Sequence, residues 1–224
     1  MEGRQPLAIA HRGSHRAHPE NSLPAILLAL EMGAQGVEID IHASADGILV
    51  VHHDPDLSGA GPIRSLTASQ IRNAELSPGV PVPFLDEVLD AVAGRALLFI
   101  ETKVEGVEFA LLRAVRGSSA DSAVHSFHHE TIRNLKSTMP ALRAGVLTSG
   151  SAHNAAVALR VTGADDLWHE APDLTPQIVS HAHHLGKQVI AWTANETAEC
   201  RRLIGLGVDG ICTDELETLS ALSR

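Results

Sequence analysis

Short apolar runs alternate with segments of helical periodicity along the whole chain. Residues 7–10, Leu-Ala-Ile-Ala, form the first run and read as a buried strand. Across residues 21–32, Leu23, Ile26, Leu27 and Leu30 fall on one helical face, and Gly33 stops the pattern. The same alternation predicts strands over 36–41, 96–101, 123–127, 144–147, 166–170, 188–193 and 208–213. Helices are expected over 84–92, 107–115, 130–137, 151–161, 175–185, 196–206 and 216–222, with Thr175 as a candidate N-cap and Gly186 as a stop. An extended piece over 47–53 follows Asp46-Gly47, a hairpin-type turn. Residues 55–80 are rich in Gly, Ser and Pro with weak periodicity, and read as an excursion from the main rhythm.

Eight core strands, most followed by a helix, imply parallel pairing with right-handed crossovers. In a chain of 224 residues this favours a closed α/β (β/α)8 TIM barrel over an open doubly wound sheet. The expectation is a single domain over residues 1–224 with a short insertion around 55–80. The first strand is not followed by Gly-x-Gly-x-x-Gly, which weakens a dinucleotide-binding reading.

Composition narrows the function. Hydrophobic residues make up 44% of the chain, enough for a sizeable core, and the formal charge is −10 with no Lys/Arg-rich run. Nucleic acid and stable membrane insertion are therefore not expected, and an anionic substrate would need a metal and one or two local cations. Cys200 and Cys212 lack metal-ligand or redox spacing and read as reduced, partly buried thiols. No segment has the length of a membrane span and the N-terminus lacks a signal-type apolar stretch, so a cytoplasmic location is expected. The sequence leaves the oligomeric state open.

In a barrel of this kind the working face lies at the C-terminal ends of the strands, and the polar residues collect there. His11-Arg12-Gly13 ends the first strand, and Pro19-Glu20-Asn21-Ser22 follows, with Asn21 and Ser22 both candidates to cap the first helix. Glu38 and Asp40 end the second strand and project to one face, since they are two residues apart. Glu101, from the neighbouring strand, completes a three-carboxylate oxygen site suited to Mg²⁺ or Ca²⁺, with Mn²⁺ as a further candidate. Arg12 and Lys103 are expected to contact phosphate. His11 and His53, each within a motif, are expected to act as an acid–base pair. His52 and His53 point opposite ways on an extended segment, and His53, beside Asp54, is the choice for the site. Trp192, at the end of the seventh strand, and Phe127 fit both a pocket wall and barrel packing. Of the remaining histidines, His42 and His125 lie near strand ends and are the best placed to support the site.

The segments His11-Arg12-Gly13, Pro19-Glu20-Asn21-Ser22, Gly36-Val37-Glu38-Ile39-Asp40, His53-Asp54, Glu101-Thr102-Lys103, Ala191-Trp192-Thr193-Ala194-Asn195 and Gly207-Val208-Asp209-Gly210-Ile211-Cys212-Thr213-Asp214 occur in that order. Together they resemble the glycerophosphodiester phosphodiesterase family over nearly the whole chain. The resemblance implies a TIM barrel that hydrolyses glycerophosphodiesters to sn-glycerol 3-phosphate and an alcohol, using Ca²⁺ or Mg²⁺. It implies Glu38, Asp40 and Glu101 as metal ligands, His11 and His53 as acid–base residues, and Arg12 and Lys103 as phosphate contacts. Two features depart from the pattern: the excursion over 55–80, which in the family covers the site and helps select the alcohol, is short, and Ser22 replaces a commoner threonine.

The working assignment makes His11 the base and His53 the acid; the reverse also fits the sequence, as do both water and the substrate's glycerol hydroxyl as nucleophile. One rival is a lysophospholipase D or sphingomyelinase D-like enzyme on a related barrel, which would need an apolar or basic rim. Another is a barrel that binds metal and diester without turnover, against which the full set of acid–base and metal residues argues.

Overall fold

The computed structural model describes residues 5–222. Eight parallel strands form the barrel: β1 (Leu7–His11), β2 (Gly36–Ala43), β3 (Leu97–Thr102), β4 (Ser122–Ser126), β5 (Arg143–Thr148), β6 (Asp166–Glu170), β7 (Gln188–Trp192) and β8 (Gly210–Thr213). Each is hydrogen-bonded to the next, and β8 pairs back onto β1 with Ala10 opposite Thr213, which closes the cylinder. The helices of more than one turn between and after them are α1 (Leu23–Glu31), α2 (Leu85–Val92), α3 (Glu108–Gly117), α4 (His129–Thr138), α5 (Ala152–Thr162), α6 (Pro176–His184), α7 (Thr197–Leu206) and α8 (Leu216–Leu222). The expected order is borne out, with element ends displaced by one or two residues, as fraying at termini produces.

Strand alternation divides the apolar residues into two populations. Val37, Ile39 and Ile41 of β2 face the helix layer and join the large core between barrel and helices. Ile9, Phe99, Ala123, Leu147, Trp168, Ile190 and Cys212 fill the barrel interior. At the N-terminal end of the strands, Arg143 pairs with Asp166 at 2.7 Å and lies 5.4 Å over the Phe99 ring, closing that end. The other end of the interior is where the polar residues stand. Cys200 and Cys212 are free and fully buried, deeper than the sequence suggests.

The excursion after β2 is built from very short pieces. Leu49–Val51 runs antiparallel to the end of β2, as the Asp46-Gly47 turn predicts. Beyond it, Asp56–Leu57 pairs with Gly61–Pro62, and Glu75–Ser77 with Val80–Pro81. Val50, Leu57, Ile63, Ile71 and Val82 form a small apolar cluster beneath these turns. Pieces of two to four residues are too short for a period to register, hence the weak pattern in the sequence. No helix among the described residues is long and apolar enough to cross a membrane.

Candidate active site

Backbone geometry explains the first motif. Arg12 and Asn21 take left-handed conformations, with φ of 55° and 57°. Such a conformation costs an ordinary L-residue about 1–2 kcal/mol, least for Asn, and persists where surrounding contacts demand it. Here the Asn21 amide donates to the Arg12 carbonyl at 3.0 Å, and the Arg12 amide to Glu38 Oε2 at 3.3 Å. Gly13, at φ 80°, lies against α1: a Cβ there would meet the Ala25 carbonyl carbon at 2.7 Å. Ser22 is the N-cap, its Oγ accepting from the Ala25 amide at 3.2 Å. Asn21 instead grips Asp40, donating from Nδ2 to Oδ2 at 2.9 Å and accepting the Asp40 amide at 3.1 Å.

Three carboxylates meet at the polar end of the interior. Glu38, Asp40 and Glu101 are all buried, and Asp40 pairs in register with Glu101. Lys103 Nζ donates to Glu101 Oε1 at 2.6 Å and lies 3.0 Å from Asp40 Oδ1. Arg12 Nε lies 3.1 Å from Asp40 Oδ2, while its Nη1 donates to Glu20 at 2.9 Å. Burial opposes the ionisation of Asp40, but Lys103 and Arg12 outweigh it and hold its pKa below the ordinary value. Glu38 has the opposite fate. Burial, then the charge of Asp40, pushes its carboxyl up to about 8. Its Oε1 is buried without a hydrogen-bond donor. Three buried acids share two cations, so ionising all three needs a further positive charge, and this fits an additional cation bound by oxygen ligands.

His11 stands beside this cluster. Its Nε2 is 4.0 Å from Glu38 Oε2, and its Nδ1 is 2.7 Å from Asp214 Oδ1. Burial works against protonating His11, yet the Asp214 hydrogen bond and the Glu38 charge prevail and raise its pKa. Asp214 is itself held on several sides. His15 Nε2 lies 2.9 Å from Oδ1, and Asn195 Nδ2 donates to Oδ2 at 2.7 Å. Those bonds overcome partial burial and keep Asp214 well below the usual carboxylate range.

His11, Arg12, Glu38, Asp40, Glu101 and Lys103 are thus brought together. His53 stands apart from the hydrogen-bonded cluster: its Nδ1 pairs with the exposed Asp54 at 2.8 Å, and its carbonyl accepts from His42 Nε2 at 2.9 Å. Trp192 is half-buried, with Phe127 packed edge-on to its ring at 5.7 Å.

Asp214, Asn195 and His15 are not marked for this site by residue type, whereas His125, expected to support it from a strand end, is brought to it. Asp214 and Asn195 lie in the C-terminal motifs of the family resemblance, the signal that pointed nearest to them. His125 pairs in register with Glu101 and is 1% exposed, its ring stacked on Trp168 at 4.0 Å. Burial pushes its pKa down to about 4, so the ring is neutral at neutral pH.

Buried acids beside an arginine and a lysine at the strand ends of a closed barrel fit a (β/α)8 enzyme acting on phosphate esters. The sequence profile of the glycerophosphoryl diester phosphodiesterase family matches residues 11–218. The chain belongs to that family, and is an enzyme of the phosphodiesterase class. A glycerophosphodiester phosphodiesterase of Caldanaerobacter subterraneus is 32% identical, over 97% of this chain and 98% of its own. Among solved structures, a phosphodiesterase from Oleispira antarctica in complex with the product sn-glycerol-3-phosphate superimposes with a TM-score of 0.89 at 26% identity, covering 98% of both chains. A putative glycerophosphoryl diester phosphodiesterase from Silicibacter pomeroyi gives 0.88 at 26% identity, over 100% of this chain and 95% of its own. The family resemblance carried by the motifs is borne out, as is the barrel.

Proposed function

We propose that this chain hydrolyses glycerophosphodiesters to sn-glycerol 3-phosphate and an alcohol, with one divalent cation held by Glu38, Asp40 and Glu101. The observation that carries this reading is the buried, under-compensated acid cluster beside Arg12, Lys103 and His11. The product bound by the Oleispira relative supports the substrate class. Mg²⁺ and Ca²⁺ suit the oxygen ligands best, with Mn²⁺ a further candidate. When bound, the ion supplies Lewis-acid charge at a phosphate oxygen.

The chain's own residues do the rest. Arg12, whose guanidinium spans Asp40 and Glu20, and Lys103, between Asp40 and Glu101, are fixed cations for the other phosphate oxygens. With the Nδ1 proton of His11 directed at Asp214, Nε2 presents its lone pair to the site and takes the proton of the nucleophile, either water or the substrate's glycerol hydroxyl, the latter route giving a cyclic phosphate that water then opens. His53, at the rim and 35% exposed in its side chain, gives a proton to the leaving alkoxide. Trp192 lines the alcohol side. A chain carrying this full set turns substrate over.

The test is a coupled assay for released glycerol 3-phosphate across a panel of glycerophosphodiesters. Chelator should abolish release and a divalent ion should restore it; release unaffected by chelator contradicts the metal site. Lysophosphatidylcholine belongs in the panel, because the half-exposed Phe127 packs on Trp192 and supplies the apolar rim that a lysophospholipase D needs. Faster turnover of the lysolipid than of glycerophosphocholine would favour that second reading.

A further inference from the structure

We infer that His125 supplies a nitrogen ligand to the cation site, so that the ion is held from the barrel interior by an imidazole as well as by carboxylates. The inference rests on the metal-dependent reading above and concerns a residue outside its ligand set. Glu38, Glu101 and His125 each offer a ligand atom within 4.8 Å of the others, and all three are buried. His125 Nε2 lies 3.7 Å from Glu38 Oε1. That is too long for a hydrogen bond, which would bring the atoms to about 2.9 Å. Glu38 Oε1 has no donor and His125 Nδ1 no partner.

A neutral imidazole carries one proton. With that proton on Nδ1 the Nε2 lone pair faces Glu38 Oε1 across 3.7 Å, a gap too long for a hydrogen bond in either tautomer and one that a cation bound by both atoms would fill. The ring has little freedom to turn away, since it is stacked face to face on Trp168, with 2° between the planes, and lies edge-on to Phe99. The other cations near the cluster are committed elsewhere: Lys103 to Glu101 and Asp40, Arg12 to Asp40 and Glu20. An ion bound by His125 Nε2 and Glu38 Oε1 would give that oxygen the partner it lacks.

The consequence is selectivity. Oxygen ligands alone favour Mg²⁺ or Ca²⁺, whereas an imidazole nitrogen tilts the site toward Mn²⁺ and other first-row ions. His11 is the alternative nitrogen source, being 4.0 Å from the other oxygen of Glu38, so the experiment must separate the two rings.

Electron spin-echo envelope modulation of the Mn²⁺-loaded protein reads directly bound nitrogen. The wild type should show ¹⁴N modulation, which His125→Gln loses and His11→Gln keeps. By calorimetry, His125→Gln should weaken Mn²⁺ binding at least about tenfold while changing Ca²⁺ binding less than about threefold. Should His125→Gln fail to fold, His125→Asn takes its place, and the wild-type spectrum needs no variant. Mn²⁺ bound without nitrogen modulation, or modulation that survives in the His125 variant, overturns the inference and leaves the carboxylate site standing. No Mn²⁺ binding at all overturns both.

Discussion

Glu38→Gln should leave no measurable metal-dependent turnover and, in the metal-free protein, should raise the melting temperature. The two effects have one origin. Glu38 is 2% exposed, and its pKa of about 8 in the fold stands against an ordinary value of 4.5. A carboxyl whose pKa is raised on folding contributes stability only while protonated. That contribution is full below pH 4.5 and is lost as pH rises toward 8. At pH 7 the loss amounts to about 3 kcal/mol. Glutamine cannot ionise and escapes it. For a chain of this length about 3 kcal/mol corresponds to roughly 6–12 °C. The gap between variant and wild type should therefore widen from pH 5 to pH 8 in chelator, and close or reverse when a divalent ion is added to the wild type. A melting temperature that falls in the variant at pH 8 in chelator would contradict the under-compensated charge.

His11→Ala should lower kcat at least ~100-fold, the usual scale for losing an acid–base residue. Asp214→Asn should follow it in direction, because the carboxylate fixes which nitrogen of His11 carries the proton. Asparagine can turn its amide N–H toward Nδ1 and so favour the wrong tautomer. An expected loss of about 10–100-fold should fall in kcat with little change in KM, since Asp214 reaches the site through His11. The double variant decides the matter. Residues that act as a unit are non-additive, so His11→Ala with Asp214→Asn should be no slower than His11→Ala alone. Full additivity would show Asp214 acting by another route.

The main rhythm was legible because parallel strands covered on both faces are near-continuous apolar runs, and each run here is followed by a helical period. The acid cluster was legible for a related reason: Glu38, Asp40, Glu101 and Lys103 interrupt such runs at two-residue spacing, which fixes their common face. The support of His11 was not. Asp214 lies 203 residues away and arrives only because β8 closes onto β1, a pairing with no local signature. Asn21 and Ser22 were interchangeable as caps until the left-handed turn at Asn21 sent its side chain to Asp40. His125 carried the right signal, a polar residue at a strand end. That signal placed it, with His42, among the supports of the site, and the register sets it beside Glu101.

The central claim is that one divalent ion and one phosphate share the space between the acids of β2 and β3 and His11. A crystal grown with Mn²⁺ and sn-glycerol 3-phosphate tests it directly, through the anomalous signal of the ion. The account predicts a single strong peak coordinated by Glu38, Asp40 and Glu101, with the phosphate on Arg12 and Lys103 and facing His11 Nε2. A peak away from those carboxylates, or a phosphate lodged out of reach of His11, would contradict it.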